Sequence, residues 1–122
     1  MVGQLNLDAS GGCLQIEFDT HNWGRCFLLA KNRTYLGAES KRYLVEHLLA
    51  RLEEPTSEPV GELAGRPVKW VLSLAEGQSI LYVSAENSNR TLHWQNAKAE
   101  WIASLRLSQD QWQQWKQQLG QA

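Results

Sequence analysis

The residues best able to hold a metal or attack a substrate in this 122-residue chain are His21, His47, His93, Cys13 and Cys26, and no two of them stand at metal-ligand spacing. The histidines fall on a turn, a helix and a strand, as surface residues do. Glu53-Glu54 and Glu58 with Glu62 cluster around one proline-containing stretch, where they solvate a loop instead of forming a paired general acid and base. The chain carries no glycine-rich phosphate loop and no nucleophile elbow. Asn32-Arg33-Thr34 and Asn89-Arg90-Thr91 match the glycosylation pattern, which without an export signal is a chance match. The expectation is a chain with no catalytic residues, no metal and no cofactor, and therefore not an enzyme.

What remains is binding chemistry. Lys69, Tyr82, Arg90, His93, Ile102 and Arg106 bring cations, an aromatic ring, an imidazole and an apolar group to one stretch, together with the hydroxyls of Ser84 and Thr91. Such groups contact nucleotides or a partner protein. Their value depends on the elements that position them.

Leu14 to Asp19 alternates apolar and polar residues as a half-buried strand does, and Arg25 to Ala30 forms a more apolar partner. A turn centred on His21 and Asn22 sets Ile16 opposite Phe27 and Leu14 opposite Leu29, with all four on the buried face. In that register Cys13 lies opposite Ala30 and Cys26 opposite Glu17, too far apart for a disulfide, so both read as reduced structural thiols. Residues 31–37 read as a short connection. From Ser40 to Glu54, Leu44, Val45, Leu48, Leu49 and Leu52 recur at helical spacing behind a capping serine. Residues 55–67, with three prolines, read as a surface loop between two halves of one domain, and residues 1–12 as a flexible N-terminus.

Four further strands follow, Val68–Ala75, Ser79–Glu86, Arg90–Gln95 and Ala99–Leu107. Two-residue turns would pair Leu72 with Leu81, Val83 with Trp94, and Trp94 with Trp101. Trp70, Trp94 and Trp101 then share a buried face, while Lys69, Val71, Tyr82, Ser84, His93, Ile102 and Arg106 lie on the exposed one. Ser108-Gln109-Asp110-Gln111 has the form of a capping box, and Trp112, Trp115 and Leu119 make the apolar stripe of a closing helix. The fold class is α+β: an antiparallel meander with two amphipathic helices on one face, in the order β-β-α-β-β-β-β-α, over residues 1–122 as a single domain.

Twelve basic and thirteen acidic side chains leave a formal charge of -1, so no global field draws the chain onto nucleic acid or anionic lipid. No apolar run reaches the ~20 residues that span a bilayer. The N-terminal residues lack the features of a signal peptide. A soluble cytoplasmic protein with no membrane association is expected.

Four antiparallel strands followed by a helix, from Val68 to Leu119, resemble the repeating unit of the Whirly-like single-stranded DNA-binding transcriptional regulators, and the first hairpin and helix look like a reduced copy of it. The whole chain is similar to a set of small cyanobacterial proteins assigned to that fold. The resemblance implies two units packed helix against sheet, with curved sheets able to hold a single strand. The Whirly lysine-rich motif is absent. The function expected is a non-enzymatic interaction or regulatory module using the exposed sheet face or an oligomer interface, with a protein partner or a second copy; the alternative is weak binding of single-stranded nucleic acid.

Overall fold

Alternation of apolar and polar residues dominates the chain, and the computed structural model, which describes residues 3–53, 61–63, 65–76, 79–86 and 89–121, turns it into nine strands and two helices. The protein is α+β with two antiparallel sheets. The first contains β1 (Gly3–Ala9), β2 (Gly12–Phe18), β3 (Trp23–Leu29) and β4 (Arg33–Ser40) in that spatial order, and leads into helix α1 (Lys41–Glu53). The second contains β5 (Gly61–Leu63), β6 (Arg66–Ser73), β7 (Ile80–Glu86), β8 (Asn89–Gln95) and β9 (Trp101–Leu107), and leads into α2 (Gln109–Gly120).

Both helices start where their capping residues dictate. Ser40 Oγ accepts from the Tyr43 amide at 3.2 Å. Ser108 and Gln111 complete the reciprocal capping box, satisfying two amides that would otherwise lack partners. Helix α1 presents Leu44, Leu48 and Leu52 to β3, β4 and β6, while α2 presents Trp112, Trp115 and Leu119 to β1, β8 and β9. The two helices also touch each other, so both sheets and both helices share one apolar cluster. Trp94 and Trp115 lie almost wholly inside it. Burying an indole of this kind contributes roughly 4–6 kcal/mol of transfer free energy before conformational entropy is subtracted. The Trp115 indole N–H donates to the Asp8 carbonyl at 2.7 Å, which satisfies its one polar atom. The sheets also meet at their edges: Ser10 and Arg106 exchange two backbone hydrogen bonds, and the Ala75 amide donates to the Ala38 carbonyl at 3.0 Å.

Several expectations need correction. Where a flexible N-terminus was expected, residues 3–9 form β1; Leu5, Leu7 and Ala9 turn inward, and the strand pairs with β2 along its whole length. Residues 33–37 are part of β4, which adds a fourth strand where a connection was expected. Within the expected surface loop, residues 61–63 and 66–67 are strand; residues 55–60 and 64, with the expected turn residues Gly77 and Ser88, lie outside the described residues. The expected single meander is divided between two sheets, and each helix packs against strands of both.

The first hairpin is shifted by one residue. Ile16 faces Cys26 and Leu14 faces Leu28, so Cys26 and Leu28 are buried and Phe27 points outward. The cause is the turn, which has three residues instead of two. The Asp19 amide donates to the Trp23 carbonyl and the Asn22 amide to the Asp19 carbonyl, both at 3.1 Å, and Asn22 takes φ 58. Cys13 and Cys26 stay free thiols, facing Leu29 and Ile16 respectively.

In the second sheet Leu72 faces Leu81 as expected, but Val83 faces Leu92, and Trp94 faces Leu81 and Ala103. A bulge at Trp70/Leu72 places Val71 inside, fully buried, where the exposed face was expected. A second bulge at Trp94/Gln95 sets Trp101 opposite Gln95, outside the core. Trp70 is only half-buried, with His47 edge-on at 6.0 Å and the Arg51 guanidinium 5.4 Å away.

Candidate functional site

Asn96 initiates the loop that decides what the second sheet displays. Its amide donates to the Glu100 carbonyl at 2.9 Å, and its side-chain oxygen accepts from the Lys98 and Glu100 amides at 2.9 and 3.0 Å. An asparagine side chain that bonds its own following backbone fixes a three-residue loop, closed here by Ala99 at φ 62. The chain re-enters the sheet one residue later than a two-residue turn would allow. Trp101 therefore joins the outer face, with 40% of its surface exposed.

Around it the register assembles a group from three strands. Tyr82 on β7 lies 5.3 Å from Trp101, ring centroid to ring centroid, and His93 on β8 lies 6.2 Å away, each roughly at right angles to the indole. His93 Nε2 is hydrogen-bonded to Ser84 Oγ at 2.9 Å, and Ser84 is buried. The Tyr82 hydroxyl approaches Gln95 Oε1 at 3.4 Å, and Gln95 Nε2 donates to the Ala99 carbonyl at 3.1 Å. The hydrogen bonds hold the imidazole and the amide in place, so this face is ordered by the chain's own contacts. Ser104 and Arg106 on β9, exposed, extend the face beyond His93 and Thr91.

The structure thus brings Tyr82 and His93 together and places Arg106 on the same face. It separates the other three predicted residues. Arg90 turns away: its Nε donates to the Leu52 carbonyl at 3.1 Å, its guanidinium lies 4.6 Å from the Trp112 ring centre, and burial lowers its pKa. Lys69, half-buried on β6, is paired in register with Val83. Ile102 is 39% exposed but lines a separate groove beside β9. Trp101 is the residue of this face that the sequence places in the core, and the signal for its exposure is Asn96, a residue type that opens such loops.

The remaining reactive groups are held unreactive. Burial pushes the Cys26 thiol up to about 12 and raises that of Cys13, which also sits beside Asp8, so neither is a thiolate at neutral pH. Among the described residues no group of three or more His, Cys, Asp or Glu side chains could hold a metal ion. No described helix is long and apolar enough to cross a membrane. The chain matches no known family, no curated protein and no solved structure.

Proposed function

We propose that this protein is a non-enzymatic interaction module whose contact surface is the outer face of the second sheet, centred on Trp101. The exposed indole, flanked by Tyr82 and His93, is the observation that carries the reading. Trp and Tyr dominate protein contact energetics because they bring large rigid apolar area with one polar atom each. Ser104 and Thr91 supply the hydrogen-bonding surround of such a contact. The partner is a protein surface or a second copy of the chain.

A second reading, weak binding of single-stranded nucleic acid, is favoured by the same three rings, since each can stack a base at about 1–3 kcal/mol. Charge argues for the first reading. Among the described residues Arg106 is the one basic group the register adds beside the rings, Arg90 is directed elsewhere, and Glu100 lies next to Trp101. A titration with a fluorescently labelled single-stranded oligonucleotide at two salt concentrations distinguishes the readings. The expected affinity at physiological salt is no tighter than ~10⁻⁴ to 10⁻⁶ M. Nanomolar binding that collapses with salt and disappears in Trp101→Ala would establish the nucleic-acid reading instead. A benzophenone amino acid placed at position 101, and one placed at position 33 on the other sheet, test the preferred reading in cells: discrete protein adducts are expected from position 101 alone.

A further inference from the structure

A ring, a cation and an anion satisfy one another on the outer face of the first sheet. The Arg33 guanidinium lies 3.6 Å from the centre of the Phe27 ring and pairs with the Glu17 carboxylate at 2.7 Å. The second sheet carries the same three kinds of group along β9 and leaves them apart. Among the described residues the Trp101 indole, 40% exposed, has no cation over it, and the exposed Arg106 has no side-chain partner. Glu100, beside Trp101 in the chain, is exposed too. Its carboxylate accepts from Asn96 Nδ2 at 3.3 Å and keeps capacity for further donors.

The bulge at Trp94/Gln95 creates this arrangement. Trp101 and Arg106 stand an odd number of positions apart, and strict alternation would send them to opposite faces. With Trp101 set opposite Gln95 and Ala103 opposite Trp94, both Trp101 and Arg106 lie outside, at the two ends of the strand. The strand between them is roughly 17 Å long, whereas a cation meets a ring within about 6 Å. The set therefore stays open within one chain.

A two-fold contact closes it, because such a contact pairs residue i with residue j and residue j with residue i. An axis lying between two of these faces, and crossing β9 at right angles near Ser104, reverses the strand end for end. We infer that the outer face of the second sheet binds a second copy of this chain, with Arg106 of each copy seated on Trp101 and paired with Glu100 of the other. This rests on the reading of the face as a contact surface and narrows its partner to the chain itself. Charge selects that occupant. A strand with an anion at one end and a cation at the other is complementary to its own reverse, whereas a partner of uniform charge would meet one of the two with like charge. Ser104 falls near the axis, where its short side chain leaves room for the indoles and guanidiniums between sheets ~10 Å apart. A contact confined to one small sheet face belongs to the weak, transient class.

Sedimentation velocity over roughly 10 µM to 1 mM, the range of weak contacts, reads the dimer. The wild-type chain shifts toward twice the monomer mass as concentration rises. Arg106→Glu weakens association about tenfold or more, because every lost contact is lost twice and like charges then meet. Glu100→Arg weakens it for the same reason. The two substitutions together restore it at unchanged net charge, and Trp101→Ala abolishes it, each variant keeping the circular dichroism of the wild type. A monomer throughout the range, association indifferent to Arg106→Glu, or a double reversal no stronger than the single ones would overturn the proposal. The benzophenone at position 101 separates this proposal from the reading beneath it. Adducts at the mass of the dimer support the second copy. Adducts with other proteins, beside a monomer in sedimentation, overturn the second copy and leave the contact face standing; no adducts and a monomer remove both.

Discussion

The outer faces of the two sheets carry similar residue types and use them differently. On the first, the Arg33 guanidinium lies 3.6 Å from the centre of the Phe27 ring, pairs with Glu17 at 2.7 Å and donates to Gln15 Oε1 at 3.3 and 3.0 Å. Phe27 in turn meets Tyr35 at 5.3 Å, and the Tyr35 hydroxyl donates to Glu76. Burial and the Glu76 carboxylate push the Tyr35 hydroxyl up to about 12, so it remains a donor throughout the physiological range. On the second, the hydrogen bonds order His93 and Gln95 around an indole that no cation covers among the described residues. Aromatic and charged residues on a sheet face therefore do not by themselves mark a binding surface. The first face turns one cation, Arg33, onto Phe27 and ties its exposed Tyr35 to Glu76, whereas the second leaves its 40% exposed indole with no cation over it among the described residues.

The largest expected contrast is between two tryptophans of the second sheet. Trp94→Ala should cost about 3–5 kcal/mol in urea unfolding, because Trp94 is almost wholly buried against Leu81 and Ala103. Trp101→Ala should cost about 1 kcal/mol or less by the same measurement while abolishing any contact made through the face. Equal losses would put Trp101 back in the core and remove the comparison.

A smaller contrast separates the arginines. Arg33→Ala removes a stacked and ion-paired group with half-exposed partners and should destabilise by about 1 kcal/mol. Arg106→Ala, at an exposed position, should change stability by no more than about 0.5 kcal/mol. Thermal melts of the two variants side by side check this, and reversal of the order would show that the first face is the less satisfied one.

The smallest effect concerns the two matching turns. Asp19 Oδ1 accepts from the His21 and Trp23 amides at 2.8 and 3.0 Å, just as the Asn96 side chain does from Lys98 and Glu100. The Trp23 and His21 amides lower the Asp19 pKa below its ordinary 3.8. A depressed folded-state pKa contributes stability that is present above the unfolded value and lost as pH falls through the folded one. Asp19→Asn keeps the turn and should flatten the acid limb of the stability curve below about pH 4, whereas Asn96→Asp should steepen it. Stability measured from pH 6 to pH 2 checks both, and parallel curves would deny the turn its role.

These turns also explain what the sequence made legible. The helices were readable because Leu44, Leu48 and Leu52, and Trp112, Trp115 and Leu119, repeat at the helical period behind capping serines, signals that need no tertiary information. The strands of the second sheet were readable from alternation. Register was not, since it depends on one residue in each loop: Asn22 is a familiar occupant of positive φ, but Ala99 is not, and its conformation is imposed by Asn96. The bulges at Trp70/Leu72 and Trp94/Gln95 have no local signature in the sequence. In β1 the polar and glycine residues obscure the Leu5, Leu7, Ala9 alternation. Of the aromatic face, Tyr82 and His93 were identified and its central residue was not, for the same one-residue reason.

Fluorine NMR of the protein labelled with 5-fluorotryptophan, recorded with and without a soluble paramagnetic agent, tests the central claim most directly. Trp101→Phe assigns the signal in question. The account predicts that the Trp101 resonance broadens strongly while those of Trp94, Trp112 and Trp115 remain sharp. A Trp101 signal as protected as that of Trp94 would contradict the register and, with it, the binding face.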